Sequence, residues 1–172
     1  SQVRFRKSGE TVDEIPLPPS VIGAKAPAFQ AKLLEGGEVR FPEDYRGKTV
    51  LLSFWATWCG PCLTRMPELA RTSERLKDDN VAILGVCLDD AADSETAKMI
   101  ARSRQATWPH VFEGQGRDGK VATAYEATSL PRYLIVDGTT GRVIATHDDV
   151  NSTGIDASLN RVLAIRRALS DK

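Results

Sequence analysis

Cys59 and Cys62 stand three positions apart in the stretch LLSFWATWCGPCLTRMPEL, residues 51–69, with Gly60 and Pro61 between them. Such a pair can be a redox couple, half of a metal site or a structural staple. A structural zinc site takes about four ligands. The chain has no second Cys-x-x-Cys and only two histidines, His110 and His147. A disulfide scaffold would carry more cysteines, in even number. The third cysteine, Cys87, lies in the apolar run VAILGVCL and reads as a small buried hydrophobe. Thiol–disulfide exchange is the leading reading of Cys59 and Cys62.

That chemistry depends on position. The run TVLLSFWA, residues 49–56, is continuously apolar, as expected of a central strand buried on both faces. After the pair, Leu63, Met66, Leu69 and Leu76 recur at helical spacing, with Pro67 expected to kink the helix. The pair therefore falls where a strand turns into a helix. Unpaired N–H groups and the helix dipole favour an anion at such a terminus. A thiol there loses its proton more readily, and the thiolate is the nucleophile. Cys59 is thus the candidate nucleophile. Cys62, one turn on and more buried, is the candidate resolving thiol. Gly60 permits a close approach, and Pro61 lacks an N–H that would be unpaired there anyway.

The rest of the chain supplies the frame. AFQAKLLEGGEVRF reads as a hairpin around Gly36 and Gly37. VAILGVCL is a second buried strand, and residues 93–104 read as a helix capped by Asp93 or Ser94. Residues 119–126 give a weaker helix. RYLIVD and RVIATH are strands around the turn 138–141. Residues 155–170 form an amphipathic helix with Leu159, Val162, Leu163 and Leu169 on one face. Strands alternating with helices predict an α/β layer fold. Residues 1–22, with Pro16, Pro18 and Pro19, read as an extended arm or tether, and residues 23–172 as one domain.

The bulk numbers set limits. The chain has 172 residues, 41% hydrophobic and 27% charged, with 23 basic and 23 acidic side chains. Zero formal charge points to neither nucleic acid nor an anionic membrane surface. No apolar run is long enough for a transmembrane helix. Residues 1–22 hold no apolar core of a signal peptide. Any membrane attachment is expected through a tether outside these residues, and the domain is expected to be a monomer.

The segment FWATWCGPC, residues 54–62, closely resembles the active-site segment of thioredoxin-fold disulfide oxidoreductases, and Pro67 matches the same family. SLPRYLIVD resembles the stretch in which that family places a cis-proline before a core strand. The resemblance implies a cis Pro131 opposite the cysteine pair. It leaves the backbone of Leu130 free to pair with an extended substrate segment. The extra length, with TWPHVFEG in the middle, looks like the TlpA-like or ResA-like (redoxin, AhpC/TSA-related) branch, over about residues 23–170. The fold so implied is thioredoxin-like α/β. A central mixed sheet carries helices on both faces, an N-terminal β-hairpin and a central insertion. The resemblance further implies disulfide-containing or dithiol protein substrates and an upstream electron-donor protein. It implies no cofactor beyond a redox-active Cys59–Cys62 disulfide, and an exported, periplasmic or tethered location. Gly-Pro between the cysteines resembles reducing thioredoxins, so disulfide reduction is the expected direction. The dipeptide only tunes the potential.

Several residues leave alternatives open. Thioredoxins carry a buried Asp where Ser53 stands here, so another carboxylate must accept the Cys62 proton. Asp89 or Asp90 at the end of the second strand could do so, and Asp90 aligns best. Against this, the two could simply flank the following helix. Trp58 is expected to contact partner proteins, and Trp55 to lie in the core. His110 is expected in a loop and His147 at the exposed end of a hairpin strand. Cys59, Cys62 and His147 together would suit Cu(I), the second functional reading. A peroxiredoxin-like peroxidase is the third. That family needs a Thr three residues before the reactive cysteine and a Pro four before that. Ala56 and Leu52 occupy those positions, and Thr57 is one residue out of place.

Overall fold

β1 (Phe29–Lys32) and β2 (Glu38–Phe41) pair antiparallel, Lys32 opposite Glu38. This is the hairpin expected at Gly36-Gly37, whose φ angles of 99° and 81° few other residues adopt. The structure, a computed structural model, describes residues 17–171. Most of the expected arm, residues 1–16, lies outside the described residues.

β3 (Thr49–Trp55) is buried at every position, so both faces of its sheet are covered. α1 (Gly60–Arg75) follows and runs on through Pro67. β4 (Val81–Cys87) then lies parallel to β3, Trp55 opposite Cys87. α2 (Ser94–Ser103), β5 (His110–Phe112) and α3 (Lys120–Ala124) make the insertion. β6 (Arg132–Asp137) returns antiparallel to β3, and β7 (Val143–Ala145) pairs with β6. α4 (His147–Thr153) and α5 (Ile155–Ser170) close the chain. The strand order is β5-β4-β3-β6-β7, a mixed sheet of the expected kind.

The chain's own N-terminal segment lines both outer strands of this sheet. Leu34 N donates to His110 O at 2.8 Å and Leu33 bridges Val111 on the β5 side. On the β7 side, Gly23 N donates to Val143 O at 2.8 Å, Val143 N to Ala24 O at 2.9 Å, and Lys25 bridges Arg142.

Two elements differ from the sequence reading. His110 is in β5 rather than a loop. That strand has three residues, too few to show a period. Its place is cut out by Gly85, where a Cβ would lie 2.2 Å from His110 Nδ1. His147 does not end a hairpin strand but opens α4. Thr146 caps that helix, its N donating to Asp149 Oδ2 at 2.8 Å while its hydroxyl accepts from Asp149 N at 3.4 Å. Leu169 is also not on a buried face. Ile155, Leu159, Val162 and Leu163 pack inward, but beyond them α5 outruns the core and leaves Leu169 67% exposed. Asp93 takes the cap position of α2 without a side-chain bond.

Candidate active site

The last residue of β3 is Trp55, and four residues later Cys59 caps α1. Its backbone is extended, and its sulfur accepts a hydrogen bond from Cys62 N at 3.3 Å. The two cysteines are joined as a disulfide with Cα atoms 5.3 Å apart. Gly60 and Pro61 are exposed above them, yet the cysteines are only 5% and 3% accessible. Pro61 sits in the first turn, as its missing N–H allows.

Leu130–Pro131 is a cis peptide, as the resemblance implied. Antiparallel pairing sets Arg132 opposite Phe54. Pro131, one residue earlier, therefore lies at the end of the sheet where β3 delivers the cysteine motif. Leu130 and Pro131 are half-buried. Trp58 is 53% exposed, with the Arg117 guanidinium 4.9 Å above its ring. Arg117 also donates to Thr128 O at 3.3 Å. Trp55 is fully in the core.

The two acidic candidates separate. Asp90 is exposed and leads into a 3-10 turn before α2, with its carboxylate against Gly116. Asp89 is buried beneath the motif. It accepts from Thr57 N at 2.8 Å, from Thr57 Oγ at 2.6 Å and from Cys87 Sγ at 3.1 Å. The carboxylate hydrogen-bonded to the cysteine loop is thus Asp89, whereas Asp90, favoured from the sequence, makes no side-chain bond to that loop among the described residues. A signal existed. Asp89 is two residues after Cys87, so it shares the inward side of the extended chain. Burial, and the hydrogen bond to Asp89, push the Cys87 thiol well above its ordinary pKa. Cys87 is an inert, buried thiol of the kind expected.

Both histidines are engaged elsewhere. Trp55 Nε1 donates to His110 Nδ1 at 3.0 Å, which leaves His110 Nε2–H to donate to Ala106 O at 3.0 Å. The Trp55 bond requires a bare Nδ1 and so the neutral ring, and burial holds the His110 pKa below 6.5. His147 Nδ1 accepts from Tyr133 N at 3.2 Å, with the rings stacked 5.9 Å apart. Among the described residues no group of three or more His, Cys, Asp or Glu is placed to hold a metal. The hydroxyl of Thr57, near the position a peroxidase would need, is committed to Asp89.

Residues 22–145 match the AhpC/TSA family. The chain belongs to the AhpC/TSA family. Within it the chain is similar to the thiol-disulfide oxidoreductase ResA of Geobacillus kaustophilus, 35% identical over 67% of this chain and 63% of that protein. It thus spans less than two thirds of that relative. It is 31% identical to the thiol:disulfide interchange protein HelX of Rhodobacter capsulatus, over 74% of this chain and 68% of that protein. A solved thioredoxin domain of a thiol-disulfide oxidoreductase from Bacteroides vulgatus superposes with a TM-score of 0.66 and 28% identity. That match covers 77% of this chain and 94% of the domain. The AhpC/TSA chain is therefore thioredoxin-like in fold and ResA-like in sequence. No helix among its described residues is long and apolar enough to cross a membrane.

Proposed function

We propose that this chain is a thiol–disulfide oxidoreductase that reduces disulfides of partner proteins. The observation that carries the reading is Cys59 at the cap of α1, bonded to Cys62 and receiving the Cys62 amide on its sulfur. In the reduced protein the same N–H and the helix terminus hold Cys59 as a thiolate. That thiolate attacks one sulfur of the partner disulfide, and the other partner sulfur leaves as a thiolate. Cys62, once deprotonated, attacks the Cys59 sulfur. The mixed disulfide breaks, the second partner thiolate leaves, and Cys59–Cys62 becomes the disulfide. Two electrons have passed to the partner. A donor dithiol protein restores the pair by the reverse sequence.

Other residues take supporting roles in this reading. The backbone of Leu130, before Pro131, pairs with an extended partner segment. Trp58 offers an aromatic surface beside it. Asp89, rather than Asp90, receives the Cys62 proton. Extracytoplasmic surroundings, where protein disulfides persist, would supply such substrates.

The test is Cys62→Ser, which removes the resolving thiol. Proteins of the native host should then be captured as mixed disulfides on Cys59 and released by reductant. The Cys59→Ser, Cys62→Ser double variant should capture none. Failure to form any adduct, even with a model disulfide, would refute the reading. A potential above about −180 mV would assign oxidation in place of reduction.

A further inference from the structure

Four arginines surround the cysteine motif, and the chain as a whole carries no net charge. Arg117 stacks on Trp58. Arg132 directly follows the cis Pro131. Arg65, one turn beyond Cys62, lies over the Tyr133 ring at 5.9 Å and donates to Asn151 Oδ1 at 3.1 Å. Arg104, at the end of α2, reaches back to Leu63 O at 3.5 Å. None of the four forms a salt bridge among the described residues, where six other pairs do. The acceptors of Arg65, Arg104 and Arg117 are neutral amide oxygens. The Nε of Arg132 is buried with no acceptor at all. Acids also stand at this end, Glu126 beside Arg117 and Thr128 among them, but among the described residues none is within ion-pair distance of the four. Asp89 is buried under Thr57, and Asp90 faces Gly116. Glu68 and Asp148 stand on the Tyr133 and His147 flank, and pair with none of the four.

Guanidinium groups left without counter-ions around a reactive site are matched by carboxylates brought by the partner. We infer that the partner segment docking at Leu130–Pro131 carries Asp or Glu beside its cysteine, and that Arg65, Arg104 and Arg117 select it. This rests on the exchange reading above and specifies the substrate class of the same site. Opposed surfaces steer encounter most strongly when salt is low, because screening sets in within about 10 Å at 0.1 M.

The experiment uses three synthetic peptides of one sequence, each closed by an internal disulfide, with the flanking positions filled by Asp and Glu, by Ser or by Lys. The full chain is reduced, freed of reductant and mixed with each in single turnover. Acid quenching and mass analysis give the rates. The acidic peptide should react about tenfold faster than the lysine peptide at low ionic strength, and the ratio should fall toward one at high salt. Arg65→Gln, Arg104→Gln and Arg117→Gln together should bring the ratio below about three, whereas the same three changed to Lys should preserve it. Arg117→Gln alone, at an exposed position, should lower the ratio about twofold. Equal rates for the acidic and lysine peptides, or a preference untouched in the Gln variants, overturn this inference and leave exchange standing. If none of the three peptides reacts, the exchange reading fails and this inference with it.

Discussion

Acidification from pH 7 to 5 should weaken the fold through His110. The ring is neutral in the folded state, accepting from Trp55 at Nδ1 and donating to Ala106 at Nε2. Its pKa is pushed below 6.5 by burial, with the Ala106 bond and Glu35 opposing. Between that lowered value and 6.5, the unfolded chain binds a proton that the folded chain does not. Stability is therefore full above pH 6.5 and declines as the pH falls. One such group costs at most about 1.4 kcal/mol per pH unit, and so no more than about 2 kcal/mol by pH 5. His147 shifts the same way, by burial with Arg132 and Arg65 adding and Asp148 opposing. Being half-exposed, it contributes less. The chain has no other histidine. The carboxylates held below their usual range, Asp44, Asp149, Asp156 and Glu95, lose their contribution only in more acid solution. Urea unfolding of the oxidised His147→Gln variant, at half-unit steps from pH 7.5 to 5, should isolate the His110 slope. Stability that stays flat or rises across that interval would refute the coupling between the His110 proton and the Trp55 bond.

Three other outcomes follow from the geometry. Asp89→Asn puts an N–H₂ among groups that all donate to the carboxylate, and should cost about 2–4 kcal/mol in urea unfolding. It should also raise the pKa that governs exchange at Cys62. Asp90→Asn should stay within about 0.5 kcal/mol and leave the rate–pH profile in place, and the reverse order would count against Asp89. Gly85→Ala drives a methyl into His110 and should cost about 3 kcal/mol or prevent folding, read from soluble yield and thermal melting. Trp58→Ala removes an exposed ring and the Arg117 contact. It should leave the melting point nearly unchanged while weakening partner binding about tenfold, measured as the concentration dependence of trapping by Cys59.

Much of the site was legible because its signals are local. A continuous apolar run, a Cys-x-x-Cys pair and a helical period are each contained within a few residues, and together they place Cys59 at a helix cap. The Leu130–Pro131 segment was legible through resemblance. What escaped depends on partners distant in sequence. β5 exists because Gly85, 25 positions before His110, leaves room for an imidazole. α4 was hidden by an alternating pattern that ran on past Ala145, although Thr146 and Asp149 spell a capping box. The choice between Asp89 and Asp90 turned on side-chain direction at a strand end. Thr57 was read as a misplaced peroxidase residue, when its amide and hydroxyl both bind Asp89. The ring of unpaired arginines draws on four separate elements, and no single window of the sequence contains it.

The N-terminal segment that borders both outer strands has a bearing on solubility. Open sheet edges invite pairing with other molecules, and proteins guard against it with short strands, charges or a covering loop. Here one stretch, residues 23–34, guards both sides, pairing with β7 through Gly23 and Ala24 and with β5 through Leu33 and Leu34. Removing it would bare two edges at once, and the shortened protein should self-associate into β-rich aggregates visible by light scattering. What looks like a lead-in to the domain is insulation. It keeps both edges of the sheet paired while the cysteine motif stands at the sheet's end.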